Sequence, residues 1–333
     1  MSGVKCTNKR RLFCIGLAFI CGMSFLTGCG SASFAFPYDA DYGVSTYRVT
    51  DEVLTASRVA PFAEDLCIVT TNVDNSEVDT SNAGTALLCD VNNANVLYAM
   101  NAHEQMNPAS LTKVMTALVA MKYGSMDQVL TASSSVYISE SGAQLLGLKA
   151  GDTMTLAQAL HILLMYSAND VAMLIAEGVA GDVDSFLALM NAEAKALGAT
   201  NTNFMNPHGL TQENHYTTAY DMYLIFNEAI KYETFREIIH MSSYSTVYYD
   251  KNGKEKDVDL RTTNRFLREA DVEAPDNVTV VGGKTGTTNA AGHCLVLLTR
   301  DTSGAPYISV LMRAPTSDDL YYQMADLLSE IGK

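Results

Sequence analysis

Three short stretches, far apart and in one order, constrain this chain more than its composition does. They are Ser110-Leu111-Thr112-Lys113, Ser167-Ala168-Asn169 and Lys284-Thr285-Gly286, whose first residues lie 57 and 117 positions apart. Pro108 to Lys113 reads as a helix start, with Pro near its N-terminus and apolar residues recurring at Val114, Leu118 and Met121. The spacing puts the Ser110 hydroxyl and the Lys113 ammonium on one helix face, within reach of each other. A lysine held beside a hydroxyl in a dry cleft loses its proton and serves as a base. Tyr166 to Asp170 closes an apolar helical run, Leu156 to Met165, and Gly282 to Thr288 reads as part of a strand.

Alone, each stretch has a bland reading. Ser167 and Asn169 would cap a following helix, and Lys284 to Gly286 would be a surface turn. Neither reading explains why all three occur together. Taken as one site, they divide the chemistry of acyl transfer. Ser110 is the nucleophile and its backbone N–H, at a helix N-terminus, is one half of an oxyanion hole. The Thr287 N–H, on a facing strand, is the candidate for the other half. Lys113 takes the Ser110 proton, helped by the second ammonium of Lys284. Ser167 passes a proton to a leaving amine, and Asn169 holds Lys113 and a substrate amide. Thr285 and Thr287 offer hydroxyls, and Lys284 a charge, to a carboxylate. Gly283 and Gly286 let backbone and ligand approach closely.

The 333 residues carry a formal net charge of -15, which argues against nucleic acid as a partner. Against that acidic background, the first 28 residues hold Lys5, Lys9, Arg10 and Arg11 and no acid, followed by an apolar run from Leu12 to Leu26. A basic start and an apolar run too short to span a membrane read as a signal peptide over 1–28, so the chain is expected to be exported. The run ends in Leu26-Thr27-Gly28-Cys29, which resembles a bacterial lipobox and predicts a lipid on Cys29, tethering the protein to the outer face of the membrane. Cleavage further on, for instance after Ala35, is the alternative and leaves a free protein. Residues 29–82, rich in acids, Ser, Thr and Asn, read as an extended acidic tether, with 53–69 as a stretch that docks on the domain. Of the seven Cys, three fall in the signal; Cys67, Cys89 and Cys294 show no metal-like spacing, and no disulfide framework emerges. The six His form no H-E-x-x-H cluster, so no metal is expected, and His208 in its Pro-containing loop reads as a structural hydrogen-bonding residue.

Strand patterns at 86–90, 96–100, 278–287, 294–299 and 307–312 bracket helical patterns at 156–165, 171–179, 183–197 and 219–232, with a last helix from Ser317. Residues 133–151 read as a loop. Strands at both ends with helices between predict an α+β domain over 83–333, an antiparallel five-stranded sheet flanked by helices.

S-x-x-K, S-x-N and K-T-G in this order are the signature of penicillin-binding proteins and class A β-lactamases. Around them, Pro108 to Leu118, Phe204-Met205-Asn206-Pro207-His208-Gly209-Leu210, Thr263-Asn264 with Phe266-Leu267, and Ala291-Gly292 are similar to segments of the D-alanyl-D-alanine carboxypeptidases, the low-molecular-mass penicillin-binding proteins of the S11 serine peptidase family. The resemblance implies the penicillin-binding fold, removal of the terminal D-Ala from peptidoglycan stem pentapeptides through a Ser110 acyl-enzyme, acylation by β-lactams, and no cofactor. It puts Ser110, Lys113, Ser167, Asn169 and Lys284 in catalysis and Lys284, Thr285, Gly286 and Thr287 in substrate binding. Two departures matter. The middle of the second motif is Ala168 where relatives often have Gly. Near the start of the last helix, where relatives often place a carboxylate-binding arginine, stand Asp318, Asp319 and Leu320, with Arg313 the nearest candidate. A β-lactamase is disfavoured because no E-P-x-L-N-like segment lies between Asn169 and Lys284. D,D-endopeptidase action uses the same residues. A non-catalytic muropeptide- or β-lactam-binding lipoprotein would be expected to have lost a catalytic residue, and none is missing.

Overall fold

The computed structural model describes residues 63, 65–75, 77–268 and 272–333. The expected signal peptide, the Cys29 lipid site and the tether up to residue 62 lie outside the described residues. Pro61–Lys333 forms one unit. Its centre is a five-stranded antiparallel sheet in the order β2-β1-β9-β8-β7: β1 (Thr85–Asp90), β2 (Asn95–Met100), β7 (Val278–Thr288), β8 (Gly292–Asp301) and β9 (Pro306–Ala314). The expected sheet is therefore present, with strands from both ends of the domain interleaved.

Two-residue alternation sends the side chains of this sheet to two cores. Leu87, Cys89, Val296, Leu298, Ile308 and Val310 pack beneath the helices α1 (Thr112–Tyr123), α2 (Leu156–His161), α3 (Asn169–Ala180), α4 (Val183–Ala196), α5 (Ala219–Ala229) and α6 (Glu233–His240). Ala86, Leu88, Leu295, Leu297 and Leu311 face the other way, onto Leu320, Met324, Leu327 and Leu328 of α7 (Ser317–Leu328). Thr218 caps α5 and Thr316 caps α7, each accepting a backbone N–H three residues on.

In helix α1 every residue from Thr112 to Met121 is buried, its sequence being apolar on most sides. Two features differ from the expectation. The apolar run 156–165 is not one helix; α2 ends at His161 and a wider π-helical turn takes Ile162–Tyr166. A second sheet, β3-β4-β5-β6, is built from β3 (Val129–Thr131), β4 (Thr153–Thr155) and the hairpin β5 (Ser243–Tyr249) and β6 (Glu255–Arg261).

The packed chain also reaches further back than the expected domain start at residue 83. Cys67, Val69 and Val78 are buried, the Cys67 N–H donates to Tyr223 Oη at 3.0 Å, and Val73 pairs with Ala99 on the β2 edge. Cys67, Cys89 and Cys294 are all free, buried thiols. No helix among the described residues is long and apolar enough to cross a membrane.

Candidate active site

The turn that carries Ser110 is built by strain and by burial. A 3-10 turn, Ala109–Leu111, runs into α1, with Ala109 at φ +46, so Ser110 leaves the turn half-exposed while Lys113, one turn on, is fully buried. The Lys113 ammonium donates to Ser110 Oγ at 2.9 Å, to Asn169 Oδ1 at 2.6 Å and to the His208 carbonyl at 2.6 Å. Those three acceptors fill the amine's hydrogen-bonding capacity and aim it at the serine.

The second stretch is delivered by the π-helical turn. The widened backbone ends at Ser167, which adopts φ +67, a left-handed conformation that costs a non-glycine residue about 1–2 kcal/mol. Ser167 thereby faces the cleft, and α3 starts at once with Asn169. The bland reading of the pair as helix caps fails: Ala168 occupies the cap position and makes no side-chain cap bond. Lys284 comes from β7, a sheet edge, and is 1 % exposed; its Nζ donates to Ser167 Oγ at 2.9 Å and to the Thr285 carbonyl at 2.8 Å. The five expected catalytic side chains thus form two hydrogen-bonded sets at one cleft, Ser110–Lys113–Asn169 and Ser167–Lys284.

Electrostatics favour a neutral Lys113 amine. Burial, then the Lys284 charge, hold Lys113 well below the usual lysine range, with Asp170 acting in the opposite direction. Burial alone lowers Lys284 to about 7. His208 is pushed down to about 3 by burial and by Lys113, and His215 to about 4 by burial, so both rings are neutral near pH 7. His208 Nδ1 accepts the Leu210 N–H at 3.1 Å, and His215 links Thr112 Oγ1 to the Met205 N–H; these are structural bonds, as expected for His208. The linkage has one sign for these groups. Each native pKa lies below its unfolded value, so the unfolded state binds more protons and stability rises with pH over each interval. We therefore expect the thermal midpoint to climb between pH 4 and 6.5, where the two His act. A midpoint that falls with rising pH there would contradict their buried, neutral state.

The cleft is a cavity of about 470 Å³ lined by Ser110, Ser167, Asn169, Thr285, Gly286 and Thr287 among others. A Cβ on Gly286 would come within 2.9 Å of the Ser110 nitrogen, which is why glycine stands where β7 passes the Ser110 turn. Thr263 Oγ1 and Thr285 Oγ1 are 2.6 Å apart, and Thr287 Oγ1 lies 3.2 Å from His293 Nδ1.

Two lining residues escaped the sequence reading, Arg265 and Arg268, and the described lining residues include no carboxylate. Arg313, expected as the nearest arginine, is not among them. The Arg265 guanidinium is braced by α7: it bonds Asp318 Oδ1 at 2.7 Å and Ser317 Oγ at 3.2 Å and lies 5.0 Å from the Tyr321 ring centroid. Its sequence signal was the adjacent Thr263-Asn264, but which elements met across the cleft was not readable from one dimension.

Comparison with known proteins agrees with this geometry. The family model of the D-alanyl-D-alanine carboxypeptidases, Peptidase_S11, matches residues 71–316. The chain is 33% identical over 253 residues to the D-alanyl-D-alanine carboxypeptidase DacF of Bacillus subtilis, covering 74% of this chain and 61% of that one. To DacA of Escherichia coli, also a D-alanyl-D-alanine carboxypeptidase, it is 31% identical over 257 residues, covering 74% and 60%. It thus spans about six tenths of the length of these relatives. Among solved structures, the Streptomyces K15 DD-transpeptidase superposes with a TM-score of 0.69 at 25% identity, covering 76% of this chain and 98% of that one. With more than two thirds of its length matched and the three motifs assembled in one cleft, the chain belongs to the S11 family of D-alanyl-D-alanine carboxypeptidases.

Proposed function

We propose that the protein is a serine D,D-carboxypeptidase that removes the terminal D-Ala from peptidoglycan stem pentapeptides. The observation that carries this reading is the buried Lys113 amine 2.9 Å from Ser110 Oγ, in a cleft whose charged lining residues are cations. Neutral Lys113 accepts the Ser110 proton as Oγ attacks the carbonyl carbon of the penultimate D-Ala. The backbone N–H groups of Ser110 and Thr287 receive the oxyanion. The C–N bond breaks, a proton reaches the leaving amine through Ser167 from Lys284 or Lys113, and water then hydrolyses the ester. Asn169 holds Lys113 and a substrate amide, while Lys284, Thr285, Gly286 and Thr287 bind the substrate terminus. A β-lactam mimics the D-Ala-D-Ala terminus, with a reactive carbonyl and a carboxylate, and acylates Ser110. In this reading the protein acts outside the membrane, and the basic and apolar start with Leu26-Thr27-Gly28-Cys29 supports export by residues 1–28 and a lipid tether on Cys29.

The substrate carboxylate has a cationic receiver in Arg265, held over the cleft by Asp318 and Tyr321, with Arg268 beside it. We expect Arg265→Met to raise KM roughly tenfold for a peptide with a free C-terminus, the cost of one charge-assisted pair. The same peptide amidated at its C-terminus should bind the two proteins alike. Equal KM values on the free acid would remove Arg265 from this role. The activity itself is tested by incubating the protein with a peptide ending in D-Ala-D-Ala and, separately, with a crosslinked muropeptide. Release of one alanine from the first supports the carboxypeptidase reading; cleavage of the second alone would replace it with endopeptidase action.

A further inference from the structure

The residue after the second motif carries a carboxylate that the steps above leave without a task. Asp170 is 1 % exposed, in the first turn of α3. Its Oδ1 accepts the N–H groups of Leu146 and Val171, both at 3.0 Å; its Oδ2 accepts those of Gly147 at 2.7 Å and Leu148 at 3.0 Å. One residue earlier, the Asn169 N–H donates to the Gln144 carbonyl at 2.8 Å. An acid that only capped its own helix would serve that helix's N–H groups. Here one of four bonds does so, and three run to a segment with no strand or helix of its own. That segment matters to the cleft, because Gly142, Ala143 and Gln144 line it. Its wall is therefore hung on the same two residues, Asn169 and Asp170, of which the first also holds the base.

The carboxylate has a second effect at the base. Lys113 is faced by Lys284 from β7, by Asp170 from α3 and by His208, which is neutral near pH 7; of these only Asp170 favours its charged form. Asp170 itself shares its surroundings with Asp152 and with Tyr248 of β5, whose phenol both carboxylates push up after burial.

Resting on the reading above, we propose that Asp170 is a positioning residue: its carboxylate pins residues 146–148 and, through them, the Gly142–Gln144 stretch that lines the cleft. Two variants separate this pinning from the charge effect at Lys113. Asp170→Asn keeps the size, removes the charge and turns a donor toward backbone N–H groups. Gly147→Ala leaves the charge in place but strains the wall, since Gly147 has φ +93 and open space around it.

The measurements are the rate of acylation by a penicillin from pH 5 to 9, and kcat and KM on the D-Ala-D-Ala peptide. We expect Asp170→Asn to raise KM several-fold and to move the acid limb of the acylation rate to lower pH, because the neighbouring negative charge that favoured protonated Lys113 is gone. Gly147→Ala should raise KM and leave that limb where it is. An unmoved limb in folded Asp170→Asn overturns the charge role. Unchanged KM in Gly147→Ala overturns the wall, and this variant decides that part if Asp170→Asn does not fold. Acylation reports the Asp170 effect even without peptide turnover; a wild-type protein that is inert to penicillin would instead fail the functional reading itself.

Discussion

Lys113→Met is expected to lower peptide turnover and penicillin acylation by about 1,000-fold or more, the usual scale for losing a positioned base. The same change should leave the thermal midpoint nearly unmoved. Methionine fills much the same volume as the lysine stem in a fully buried site. It removes the need to keep an amine out of water, while Asn169 Oδ1 and the His208 carbonyl each lose a bond. These terms oppose each other, so activity and stability separate. In the native protein the acylation rate should rise with pH through the Lys113 titration and then level, because only the neutral amine takes the Ser110 proton. A turnover loss below tenfold would mean that Lys113 is structural.

Gly209→Ala is expected to be among the most damaging glycine-to-alanine changes at the described residues. Gly209 has φ +92, and a Cβ there would sit 1.9 Å from the Ala109 carbonyl oxygen and 3.0 Å from the Ser110 nitrogen. Its loop has no freedom to retreat, since the Gly209 N–H donates to Asn206 Oδ1 at 2.7 Å and the Pro207 carbonyl is held by Thr116 of α1 at 2.6 Å. The nucleophile turn must move instead. We expect a loss on the order of 3 kcal/mol or more in stability together with loss of acylation. Gly142→Ala is the control: φ is +79 but nothing lies within 4 Å, so it should cost only the backbone strain of about 1–2 kcal/mol. Equal melting shifts for the two variants, measured by calorimetry, would contradict the close approach at Gly209.

Much of this site was legible before any coordinates, for a physical reason. Acyl transfer by a serine–lysine pair demands particular residue types, and the i, i+3 spacing of Ser110 and Lys113 carries its own geometry. The central sheet was readable because β1, β8 and β9 are continuous apolar runs buried on both faces. The β5–β6 hairpin was not, since only Tyr248, Val258 and Leu260 of its fourteen residues are buried and most of the others are polar or charged. The break after His161 was hidden for the opposite reason: Ile162 to Met165 is apolar whether the turn is α or π, and the wider turn is set by the packing that presents Ser167. Arg265 escaped because its role depends on α7 crossing from the far end of the chain to brace it, a contact between residues 265 and 318 with no local signature. Asp170 was read only as the end of a motif, although its partners, the amides of 146–148, lie in a stretch that looked like loop.

The central claim is that Ser110 forms the acyl-enzyme. Its most direct test is to incubate the protein with a penicillin, record its intact mass, and map the adduct by proteolysis, with Ser110→Ala alongside. The account predicts one added penicilloyl group per chain, carried by Ser110 and absent from the variant. A folded protein that stays unmodified, or an adduct that persists in Ser110→Ala, would contradict it.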